Sequence, residues 1–205
     1  MGTSSKTQLS AASIEEIEAL TRNNGEVRGA SLCADAEYIR HRVGEKMLRR
    51  VELVSRELGT PIDYRTIEAS KWYPASFRTV SLYAITKALG WDDEELREMG
   101  KAAPKYSIAT KIMLRYFVGI EEFAEKLKAY WLYNYSRGSL STIVIDRSAF
   151  VCLRNFWLPP ILSIYVEGSF MEILSTIIGK SEWITVRQTE RWHMADKCHD
   201  FVLRW

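Results

Sequence analysis

The imidazoles and thiols of this chain are few: His41, His193 and His199, and Cys33, Cys152 and Cys198. His193, Cys198 and His199 lie close enough in sequence to suggest a soft divalent metal. Adjacent strand residues point to opposite faces, however, and no fourth ligand lies nearby, so the segment reads as strand, turn and strand and no metal is expected. Neither Cys33 nor Cys152 is flanked by a histidine or a helix N-terminus, and both read as small core residues. A Gly-rich phosphate loop, a Gly-x-Ser-x-Gly elbow, a His-Glu-x-x-His helix and a Cys-x-x-Cys pair are all missing. A non-enzyme is expected; catalysis would need a convergent polar cluster such as Tyr165, Glu167 and Arg137.

The aromatic residues carry more information, with 7 Trp and 10 Tyr in the chain. They recur on the expected helices and at their ends, where they either pack a core, line an apolar pocket or make an interface. As a pocket lining we single out Trp72, Tyr73, Tyr116, Trp131, Tyr135, Trp157 and Tyr165, with Arg137 as anchor for a ligand carboxylate or phosphate. The basic and aromatic residues from Lys126 to Arg137 invite a comparison with single-strand nucleic-acid binders. Acidic residues precede them and the net charge is only +2 with mixed signs, so no nucleic acid is expected.

The elements that must position these side chains follow from periodicity. Ser13-Ile-Glu-Glu16 has the form of a capping box opening a short amphipathic helix in an N-terminal extension, residues 1–24. Val27 to Cys33 reads as a strand, and Tyr38 to Leu58 as one helix. Pro74 opens a helix to Leu89; Asp92 to Glu95 caps the next, ended by Gly100. Lys105 to Phe117 and Glu121 to Tyr133 follow as helices. Leu140 to Ile145 and Ala149 to Phe156 form a hairpin about Asp146-Arg-Ser148. Pro159-Pro160 starts a helix to Ile178, apolar nearly all round, with Gly168 allowing close approach. Two strands end the sequence, Trp183 to Glu190 and Cys198 to Trp205, the last with Phe201, Leu203 and Trp205 facing the helices.

Helices in succession and locally paired strands imply an α+β domain, a twisted antiparallel sheet covered on one face by helices, spanning residues 25–205. The chain has 205 residues, 47% hydrophobic and 26% charged, enough for one real core and too regular for disorder. The start lacks the order of a secretory signal, and the cysteines are odd in number and widely spaced, so a reducing cytoplasm is expected. Charged residues and prolines interrupt Phe156 to Ile178, which reads as a buried helix and not a membrane span.

Several segments together resemble the 4-vinyl reductase-type domain: Glu68-Ala-Ser-Lys-Trp-Tyr-Pro74, Leu89 to Gly100, Tyr165-Val-Glu-Gly168, and Val186 to Glu190 with Asp200 to Trp205. That module is related to haem nitric-oxide-binding proteins and to TRAPP subunits. The resemblance implies a TRAPP-like, NO-signalling fold, a largely apolar pocket, dimerisation, and a sensory or carrier role in bacteria or archaea. In related domains the last hairpin often carries cysteines and a Gly-Asp turn, where this chain has Arg191, Ala195-Asp196 and His199. The haem branch places a Tyr-x-Ser-x-Arg signature on the haem propionates. The nearest string here is Tyr133-Asn-Tyr-Ser-Arg137, with Tyr135 where the serine belongs, and no histidine lies between His41 and His193 to act as axial ligand. The expectation is therefore a cytoplasmic, non-enzymatic domain that binds an apolar or amphipathic small molecule without a cofactor, as a homodimer. A protein-interaction scaffold stands second, and a haem-based gas sensor below both.

Overall fold

The computed structural model describes residues 25–106, 122–178, 184–193 and 198–205. The helix expected within 1–24, most of that expected over Lys105–Phe117, and Tyr116 with it, lie outside these ranges. Strand β1 (Glu26–Arg28) pairs antiparallel with β2 (Trp72–Pro74), Val27 opposite Tyr73. Between them run α1 (Gly29–Val43) and α2 (Glu45–Glu57). Then follow α3 (Ala75–Leu89), α4 (Asp93–Tyr106), α5 (Phe123–Asn134), the hairpin β3 (Ser139–Ile145) and β4 (Ser148–Arg154), α6 (Pro160–Ile178), and the strands β5 (Thr185–His193) and β6 (Cys198–Arg204).

Two expectations at the start of the domain need correction. The strand expected over Val27–Cys33 ends at Arg28. The Gly29 and Ala30 N–H groups donate to Lys71 and Ala69 carbonyls at 2.8 and 2.9 Å, so a loop distant in sequence caps α1 and lets the small residues behind it coil. The single helix expected over Tyr38–Leu58 breaks at Gly44, which sits at φ 88°, a region open to glycine.

The α3 boundaries match the sequence reading: Pro74 precedes it and Gly90 closes it in the left-handed conformation. At α4 the Asp92 carboxylate accepts the Glu94 and Glu95 N–H groups at 2.9 and 3.2 Å. The Glu95 carboxylate returns a bond to the Asp92 N–H at 2.8 Å. Gly100 does not end this helix. A Cβ there would crowd the Tyr165 carbonyl, so this glycine serves the crossing of α4 with α6.

The sheet order is β3-β4-β6-β5, all antiparallel, so the two expected hairpins join through β4 and β6. Alternation sends Ala149, Val151, Leu153, His199, Phe201 and Leu203 into the core, where Phe201 meets Phe170 of α6 edge-on at 5.4 Å. Trp205 packs partly buried against the same core. Helix α6 is the one described helix long and apolar enough to cross a membrane by composition. It lies instead against α4 and β5, with Leu162, Val166, Phe170, Ile173 and Leu174 buried.

Candidate functional site

Three helices meet at a polar group sealed from solvent. Asp35 on α1 is 1% exposed and Arg78 on α3 is 0% exposed, and the two form an ion pair. The Arg78 guanidinium stacks over the Tyr165 ring with Cζ 4.2 Å from its centroid, and the Tyr165 hydroxyl donates to Asp35 Oδ1 at 3.1 Å. Three separate helices, α1, α3 and α6, are thus tied at one point. A buried charge is costly unless paired, so none of these groups is an incidental passenger.

The pair has further polar neighbours. The guanidinium lies against the hydroxyls of Tyr135 and Tyr165. Burial pushes the Tyr130 phenol up to about 12 and also raises Tyr135 and Tyr165; for Tyr135 and Tyr165 the neighbouring Arg78 opposes that rise. All three stay protonated donors at neutral pH.

Beside this group is a cavity of about 20 Å³, lined by Ser31, Tyr130, Trp131, Asn134, Tyr135, Tyr165 and Ser169 among others. Its volume suits one water molecule. Ser31 Oγ donates to Asn134 Oδ1 at 3.0 Å and Ser169 Oγ to the Gly100 carbonyl at 3.1 Å, so the polar groups of the lining are already bonded, and Ala30, Ala34, Ala103, Val166 and Phe170 complete it.

Of the residues nominated from sequence, Trp131, Tyr135 and Tyr165 meet at this cavity. Trp131 and Tyr135 stack at 4.4 Å and share an edge-on contact with Phe156. Trp72 and Tyr73 stand on β2 instead. The Arg28 guanidinium covers Trp72 at 4.1 Å, and the Tyr73 hydroxyl accepts the Glu68 N–H at 2.9 Å. Arg137 is exposed and contributes its backbone carbonyl to the Trp131 indole N–H at 2.9 Å; Trp157 packs partly buried on the core. Sequence reasoning missed Asp35 and Arg78. A signal was present, since Arg78 is the lone charged residue from Trp72 to Thr86, set among apolar and small residues.

The sulfur and imidazole groups also differ from expectation. Cys152 faces away from the helices and is bonded to Cys198, a bridge across β4 and β6 that corrects its reading as a core thiol. Cys33 is half-buried, its thiol raised by burial. Cys198 and His199 do point to opposite faces. Cys152, Cys198 and Asp200 gather on the outer face, their donor atoms within 4.8 Å of one another. His199 turns inward, where Leu158 N–H donates to Nε2 at 3.0 Å and Nδ1 faces the Gln188 amide at 2.7 Å.

No family model and no curated protein matches the chain. Solved structures do match it in fold. An H-NOX protein from S. oneidensis in the Fe(II)NO ligation state aligns with TM-score 0.63 at 10% identity, over 86% of this chain and 98% of that one. The Fe(II) unliganded H-NOX protein from K. algicida gives 0.59 at 10% identity, over 86% and 95%. A structure probing haem distortion in the H-NOX family gives 0.59 at 13%, over 87% and 94%. The chain therefore has the fold of these H-NOX structures, an α+β arrangement.

This overturns the ranking reached from sequence, which set a binder of apolar or amphipathic molecules first, a scaffold second and a haem-based gas sensor below both. The matched structures are H-NOX proteins. The ranking failed because it rested on ligand motifs, whereas fold is carried by element order and core packing.

Haem does not fit this centre. A pocket for a cofactor-sized ligand runs to about 300 Å³ or more, against a cavity sized for water. Among the described residues no imidazole or thiol lines that cavity, and His41 is exposed on α1.

Proposed function

We propose that this chain is a sensory domain of the gas-sensor fold, in its 4-vinyl reductase-type branch, that responds through Arg78 to a small oxyanion and does not use haem. It is a sensor and not an enzyme. The observation that carries this reading is the fully buried Arg78 guanidinium, held by the Asp35 carboxylate and the Tyr135 and Tyr165 hydroxyls where three helices meet. A guanidinium presents its donors as a planar fork that matches two oxygens at once. An oxyanion would act by taking the place of the Asp35 carboxylate on that fork, loosening the tie between α1 and α3. Direct capture of a diatomic gas is excluded by magnitude: at about 1.5 kcal/mol per heavy atom, two atoms give only millimolar affinity.

Thermal melting with formate, acetate, nitrite, nitrate and bicarbonate tests the reading. One of these should raise the melting temperature saturably, and Arg78→Lys, which keeps the charge and loses the fork, should abolish the rise. Absence of any saturable shift overturns it. So does a stoichiometric Soret band after haemin titration, which would return the chain to haem-based sensing like that of its structural neighbours.

A further inference from the structure

We infer that the free edge of β3 is a pairing surface for a second copy of this chain. β3 ends the sheet, and among the described residues no other segment makes a backbone hydrogen bond to it. An exposed strand edge offers a row of backbone donors and acceptors that only another extended strand can match, and proteins that stay monomeric blunt such edges with lysine, proline or a bulge. None of those devices is present. The strand reads Ser-Leu-Ser-Thr-Ile-Val-Ile, without charge, proline or glycine, and its register with β4 is unbroken over all seven residues.

The sequence of the strand suits its own copy. Antiparallel pairing about a two-fold axis at Thr142 sets Ser141 opposite the partner's Ile143, Ser139 opposite the partner's Ile145, and Leu140 opposite the partner's Val144. Each pairing keeps inner residues with inner and outer with outer. It also places Thr142 against the partner's Thr142. The Thr142 hydroxyl is buried without a hydrogen-bond partner in the single chain, and cross-strand threonines can bond to each other. On the outer face, Ile143, Ile145 and Phe150 are 63%, 54% and 45% exposed, half of the exposed large apolar side chains among the described residues. The two-fold axis brings Ile143 diagonal to the partner's Ile143, so the two patches become one and lose water-exposed surface. The absence of charge on the edge means that two copies meet without repulsion.

Sedimentation equilibrium on the full chain reads the outcome. A reversible dimer with a dissociation constant on the order of 10 µM is expected, the weak end appropriate to a small interface. Ile143→Lys alters an exposed side chain and should weaken dimerisation about tenfold or more. In a Cys33→Ser background, Thr142→Cys should cross-link between copies under mild oxidation while Ser139→Cys should not, because only the axial residue meets itself. A monomer at the highest soluble concentration overturns the inference, whether the edge stays bare or residues 1–24 cover it. A dimer indifferent to Ile143→Lys and not linked through Thr142→Cys overturns it too.

Discussion

Gly100 and Gly168 sit where α4 crosses α6, each pressed against the backbone of the other helix. A Cβ on Gly100 would meet the Tyr165 carbonyl, and one on Gly168 the Arg97 carbonyl, both well inside 3.0 Å. The neighbours are main-chain atoms that cannot turn aside. Contact this close lets Ser169 Oγ reach the Gly100 carbonyl and holds Tyr165 over Arg78. The crossing is thus what positions the polar centre.

Alanine in place of Gly168 sets two effects against each other. In an open helix the change stabilises by about 1 kcal/mol through propensity. Here the helices must separate, and overpacking of this kind costs about 1–3 kcal/mol. Gly168→Ala should therefore lower the denaturant midpoint. A midpoint equal to or above that of the parent would show that the helices slide apart without loss.

Asp35 and Arg78 should behave as a unit. Asp35→Leu or Arg78→Met alone leaves a buried charge uncompensated, and each should destabilise by about 3–5 kcal/mol. The double variant removes both charges and should recover much of that loss. Purely additive losses in the denaturation curves would mean that the two groups are stabilised by something other than each other.

Much of the frame was legible because local signals and tertiary needs agreed. The alternation from His199 to Leu203, the capping box at Asp92 and the break at Gly90 each act within a few residues, and each appears where the sequence placed it. Gly100 misled because its reason lies elsewhere in the chain, in Tyr165. The centre was hidden for the same reason. Asp35 and Arg78 are 43 positions apart in number and mean little until α1 and α3 are packed together. Aromatic residues drew attention as pocket lining, yet rings that line a void and rings that fill one have identical composition.

The bridge between Cys152 and Cys198 closes a loop with a sequence separation of 46. Such a cross-link restricts the unfolded chain and is worth about 2–4 kcal/mol. Reduction with dithiothreitol should lower the denaturant midpoint accordingly, and Cys152→Ser should melt like the reduced parent and no longer respond to the reductant. Equal midpoints with and without reductant would show that the bond adds nothing to the fold.

His199 supplies a pH dependence whose sign follows from its surroundings. Burial holds its imidazolium down to about 4, below the ordinary 6.5. The geometry gives the reason: Nε2 accepts the Leu158 N–H, so a second ring proton would set two donors against each other. The folded chain therefore binds a proton less readily than the unfolded one. The stabilisation is complete above about pH 6.5, declines as the pH falls, and is gone below about 4, a change on the order of 3 kcal/mol. Carboxylates that titrate in the same acid range must be subtracted, so the quantity to measure is the difference between the parent and His199→Gln, which keeps an acceptor near Leu158 without a group that titrates. Urea midpoints at half-unit pH steps should show the parent losing stability relative to the variant between pH 6.5 and 4. Parallel curves for the two proteins would mean that the ring is hydrated in solution and that the β5–β6 end of the sheet opens more readily than its packing implies.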